Sequence, residues 1–60
     1  MNQLELSIAS FGERNGLSDK QIQSLQLLYF RYFTYNGTIS QIDLERNLRL
    51  VCARESIPYK

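Results

Sequence analysis

Apolar positions recur along this chain at the three- and four-residue spacing of amphipathic helices, in three segments. The densest is 22–35, where Leu25, Leu27 and Leu28 run into Tyr29-Phe30-Arg31-Tyr32-Phe33-Thr34-Tyr35. Five of the seven aromatic residues fall there. At about 100° per residue, Ile22, Leu25, Leu28, Tyr29, Tyr32 and Phe33 share one arc of roughly 140°, with Tyr35 at its margin. That arc is the expected core face, and the hydroxyls of Tyr29 and Tyr32 must each find a partner there or reach water at the rim. Leu27 and Phe30 lie outside the arc, among Gln23, Arg31 and Thr34. Being three apart, they are neighbours on the helix surface.

Start and stop signals turn the pattern into three elements, at about 3–14, 18–35 and 40–56. Ser18 as N-cap with Gln21 at N3 makes a capping box, and Leu17 with Ile22 makes a hydrophobic staple. This favours a helix over the strand that tyrosine and phenylalanine would otherwise suit. Asn36-Gly37 is the expected stop. Ser40, with Asp43 at N3 and Ile39 facing Leu44, repeats the grammar for the third helix. That helix should end near Glu55 or Ser56, because Pro58 disfavours helical geometry at Ile57. The first helix has Asn2 as a cap, Glu5 at N3, and Leu4, Ile8 and Phe11 on one face. Asn15-Gly16 should stop it, unless Gly12 ends it early. Connections of about two to four residues suit a compact helical bundle.

The apolar surface exceeds what one bundle of this size needs. On the third helix Leu44, Leu48, Val51 and Cys52 form one stripe. Ile42, Leu50, Ala53 and Ile57 form a second, beside Arg46 and Arg49. The first helix adds Leu6 off its core face. Either one helix is central and the remainder is scattered surface apolarity, or the second stripes form an interface, with a second copy or with a dedicated partner.

Size and composition favour association. A domain of 60 residues buries only about 60% of its unfolded surface and usually needs a disulfide, a metal or a partner. Cys52 is the only cysteine, so no disulfide forms within the chain. With no histidine, metal binding is not expected either. The net charge of +1 gives no general attraction to nucleic acid or anionic lipid. There is no membrane-length apolar run. The opening residues lack the basic and apolar regions of a signal peptide, and a lone thiol suits a reducing compartment, so a cytoplasmic location is expected.

Two stretches resemble known families. Residues 17–44 locally resemble an EF-hand. The likeness rests on Leu17-Ser18-Asp19-Lys20-Gln21-Ile22 ahead of an aromatic-rich helix, then on Gly37-Thr38-Ile39-Ser40 leading to Asp43-Leu44. In that family the glycine makes the loop turn, the next-but-one aliphatic residue pairs with a second hand, and an acid closes the site. Counted back from Gly37, the ligand positions fall on Tyr32, Thr34 and Asn36, none a carboxylate. Asp43 is a short closing acid where glutamate is usual. The resemblance therefore implies a helix–loop–helix without metal. Residues 39–50, with Leu44, Leu48 and Leu50, resemble the first helix of the helix-turn-helix of winged-helix repressors. That implies DNA binding through 40–56, with Arg46, Arg49, Arg54 and Lys60 as its cations. Glu45 stands where the small contact residue belongs and Arg49 where the turn glycine belongs. Asp43, Glu45 and Glu55 leave this end with a net charge of +1 only.

Catalysis has little basis in the sequence. No histidine serves as general base, no glycine-rich phosphate loop occurs, and Cys52 sits on a core stripe with Arg49 and Arg54 pointing elsewhere. The expected protein is therefore all-α, a small three-helix bundle made of a short first helix and a helical hairpin, completed by dimerisation. It needs no cofactor. Its expected function is that of a non-enzymatic regulator or adaptor binding itself, another protein, or both, in the manner of small accessory proteins of phages or plasmids. The contact residues would be Leu27, Phe30, Arg31 and Thr34 on the second helix and Ile42, Arg46, Arg49 and Leu50 on the third. The alternative is a helix-turn-helix DNA-binding regulator using residues 40–56.

Overall fold

The computed structural model describes residues 3–33 and 39–59. Its element order is α1 (Gln3–Arg14), α2 (Asp19–Tyr32) and α3 (Gln41–Arg54), with no strand among the described residues. Helix α2 is the middle element and packs against both α1 and α3. Asn2, Thr34, Tyr35, the Asn36-Gly37 stop, Thr38 and Lys60 lie outside the described residues.

The caps read from the sequence form as hydrogen bonds. The Ser18 hydroxyl accepts from the Gln21 backbone N–H at 3.2 Å, and the Ser18 N–H donates to Gln21 Oε1 at 2.8 Å, completing the capping box. Leu17 and Ile22 are both buried beside it. At α3 the Ser40 hydroxyl accepts from the Asp43 N–H at 3.2 Å, with Ile39 packed against the core next to buried Leu44.

Helix α1 ends as Asn15-Gly16 directs. Gly16 takes φ 78°, and the N–H of Leu17 turns back to the Gly12 carbonyl at 2.9 Å. This is a Schellman closure, in which a left-handed residue satisfies the last carbonyls. Gly12 does not end the helix early. It is buried inside α1 where α2 crosses, and a Cβ there would collide with Ile22 Cγ1. The absence of a side chain sets the approach of the two helices. Helix α3 closes in the same way but with serine in the glycine role. Ser56 has φ 57°, and the Ile57 N–H donates to the Cys52 carbonyl at 2.9 Å.

The core consists of Ile8, Phe11, Leu17, Ile22, Leu25, Tyr29, Leu44, Leu48, Val51 and Cys52, with Leu4, Ala9, Leu28, Phe33, Ile39 and Ile57 packed on it. The whole first stripe of α3 is buried, as its spacing predicts. Three expectations need correcting. Helix α2 stops at Tyr32 rather than reaching residue 35. Phe33 caps it in extended geometry (φ −128°, ψ 111°), which lays its ring 5.1 Å from that of Tyr29. Tyr32 turns outward, because at the helix end its hydroxyl reaches the Glu55 carboxylate rather than the interior. Ile57 belongs to the core and not to the outer stripe, since the left-handed Ser56 folds the chain back over α3.

Candidate interaction surfaces

What the core leaves uncovered is concentrated on α2 and α3. Leu27 is 75% exposed, Phe30 42%, Ile42 74% and Leu50 45%. Each lies off the buried stripe of its helix, Leu27 and Ile42 on the far side and Phe30 at the flank, as the 3.6-residue period that buries Leu25 and Tyr29 or Leu48 and Val51 requires. The expected contact residues do not share one depression. They line three hollows with no residue in common.

The first hollow, about 280 Å³, runs between α1 and α2 and is lined by Glu5, Gln23, Gln26, Leu27 and Phe30. Gln26 Nε2 donates to the Glu5 carbonyl at 3.0 Å and ties its two walls together. The Phe30 ring meets that of Tyr29 edge-on at 5.8 Å, so one side of Phe30 is held and the other faces solvent. The second hollow, about 480 Å³, lies between the last turns of α2 and α3, and its lining is Arg31, Tyr32, Phe33, Leu50 and Arg54. The third, about 250 Å³, follows α3 past Ile42, Arg46 and Arg49. Thr34 is outside the described residues. Glu5, Gln23, Gln26, Tyr32, Phe33 and Arg54 line these hollows without having been among the expected protein-contact residues. Of these, Arg54 had been named as a cation of the DNA-binding alternative, and it also stands four residues beyond Leu50.

The charged groups around α3 are unevenly engaged. Glu45 accepts from Gln41 Nε2 at 2.8 Å and from Arg14 at 3.2 Å. Its carboxyl is held below the ordinary glutamate value, first by the Gln41 hydrogen bond and then by Arg14. Glu55 accepts from the Tyr32 hydroxyl, and that hydrogen bond pushes the phenol's pKa up. Arg46 lies 3.8 Å from Asp43 in a largely exposed pair, a kind of contact that contributes little.

Two features limit the chemistry of the interior. Cys52 is fully buried and burial pushes its thiol pKa up, which keeps the sulfur in its unreactive protonated form. The Tyr29 hydroxyl is also buried and has no hydrogen-bond partner among the described residues. No group of three or more histidine, cysteine or acidic side chains positioned for a metal occurs among the described residues. No helix among them is long and apolar enough to cross a membrane.

The segment 41–54 is one uninterrupted helix, so by itself it supplies one helix of a helix-turn-helix and not two. No protein-family model matches the chain, and neither a curated protein nor a solved structure matches it.

Proposed function

We propose that this protein is a small non-enzymatic regulator or adaptor that works by protein–protein interaction, and that Leu27 and Phe30 on α2 form its self-association face. The observation that carries this reading is the exposure of Leu27 and Phe30 side by side in a chain whose core closes without them. An exposed leucine alone would need no explanation. A leucine and a half-held phenylalanine on one helix ridge, flanked by the amide side chains of Gln23 and Gln26, form an apolar centre with a polar rim. Two copies related by a two-fold axis would each cover the other's patch.

Sedimentation of the purified chain from low micromolar to near millimolar tests this. A particle of twice the chain mass, which Phe30→Asp converts to a monomer with an unchanged helical spectrum, supports the reading. A wild-type monomer at every concentration overturns self-association. An unfolded Phe30→Asp chain would place Phe30 in the monomer core, which also overturns the patch. The alternative of DNA binding rests on the exposed Arg46 and Arg49 of α3 and would show itself as affinity for duplex DNA falling steeply with salt.

A further inference from the structure

The outer side of α3 carries a pattern that the self-association face does not use. Ile42, Arg46, Leu50 and Arg54 follow one another at intervals of four residues, so they stand in one row along the helix, the type of row that packs into the groove of a second helix. All four are exposed. Aliphatic and guanidinium groups alternate along this row, with Arg49 beside it and Arg31 across the hollow at its end.

The two hollows along this row hold four arginines, out of seven lysines and arginines in the whole chain, and no acidic side chain lines either. The acids nearby are partly engaged: Glu45 with Gln41 and Arg14, and Glu55, at the edge of the second hollow, with the Tyr32 hydroxyl. Asp43 forms an exposed 3.8 Å pair with Arg46, and Glu45 is close enough to Arg49 to feel its charge. Arg31 and Arg54 lie in the last turns of their helices, where a cation also offsets the helix dipole. Arg46 and Arg49 are in mid-helix, where that explanation does not apply. Four of the chain's seven cations thus line the hollows along this row, interleaved with aliphatic groups and only partly offset by Asp43, Glu45 and Glu55.

We infer that the Ile42–Arg46–Leu50–Arg54 row docks an acidic amphipathic helix of a partner protein. Charge complementarity decides the occupant. A partner helix whose own four-residue row alternates aliphatic and carboxylate side chains sets a carboxylate against each guanidinium, which binds it through two parallel N–H donors. The same helix covers Ile42 and Leu50 and takes water away from those pairs. A nucleic-acid backbone would engage the arginines and leave both aliphatic side chains without a partner. This inference rests on the interaction reading above and names the partner's chemistry at a different face of the molecule.

The test titrates the full-length chain at low ionic strength with a helix-forming peptide of about 18 residues in which one four-residue row alternates leucine and glutamate. A peptide of the same composition with the row scrambled, and a short DNA duplex, are titrated in parallel. The expected result is saturable binding of the row peptide, with the scrambled peptide roughly tenfold weaker or more. The double variant Arg46→Glu/Arg49→Glu, and separately Leu50→Ser, should each weaken the row peptide by a similar factor. All three positions are exposed, so helical content by circular dichroism is expected to be unchanged. Equal affinity for the two peptides, no binding of the row peptide, tighter binding of the duplex, or indifference to both variants would each overturn the inference. The solution mass of the chain reads the Leu27–Phe30 face independently, so failure of one reading is not mistaken for failure of the other.

Discussion

The two sides of α3 are built to the same rule and meet opposite fates. On one side Leu44, Leu48, Val51 and Cys52 follow the three- and four-residue spacing and are buried against α2. On the other, Ile42, Arg46, Leu50 and Arg54 follow the same spacing and remain in solvent. Periodicity alone does not separate them, because both are regular rows. What separates them is that every second member of the outer row is a guanidinium. A row of that composition calls for a cover that brings anionic groups as well as apolar ones. The inner row is complementary to a neighbour the chain itself provides, and the outer row to one it does not.

The largest way to break the contrast is to shorten one leucine on each side. Leu48→Ala opens a hole in the core and should cost about 2–5 kcal/mol, enough to unfold a domain this small. Leu50→Ala should stay within about 0.5 kcal/mol of wild type. Denaturant titration of both variants checks the pair, and equal losses would mean that the outer row is part of the monomer core. Next in size is Gly12→Ala. Alanine is the better helix former by about 1 kcal/mol, yet its Cβ would drive into the stiff, branched Ile22. The net effect should be destabilisation by about 1–3 kcal/mol, seen as a lowered midpoint.

A smaller effect, of opposite sign, is expected at Tyr29. Its hydroxyl is buried without a partner among the described residues, so Tyr29→Phe removes a desolvated polar group and keeps the ring that touches Phe30 and Phe33. Stability should hold or rise by up to about 1 kcal/mol, measured by the same titration. The smallest effect concerns Glu45. Its folded pKa lies below the ordinary 4.5, so its contribution is present above that value and fades as pH falls through the folded pKa. The Glu45→Gln variant should therefore lose less stability than wild type as pH falls below the ordinary 4.5. Parallel acid titrations followed by circular dichroism would show it.

The sequence was most informative where the controlling interactions are local. Ser18 and Gln21 are three residues apart, and their capping box depends on nothing else, so the start of α2 was legible. The same holds for Ser40 with Asp43, for the Asn15-Gly16 stop and for the buried stripe of α3. Helix ends governed by tertiary packing were not legible. Helix α2 stops at Tyr32 because Phe33 leaves it to lie on Tyr29, and no cap residue announces this. Tyr32 and Ile57 exchanged their expected places because Glu55 and the left-handed Ser56 act on them from beyond the regular helix. The exposure of Leu27, Phe30, Ile42 and Leu50 was readable from the period. Their division among three hollows was not, since it depends on how α1 and α3 lean against α2.

Leu17 takes part in two closures at once. Its N–H caps the end of α1 through the Gly12 carbonyl, and its side chain precedes the Ser18 capping box that opens α2. One residue is thus the last link of one helix and the first brace of the next. The turn between α1 and α2 is thereby braced from both ends through a single buried leucine.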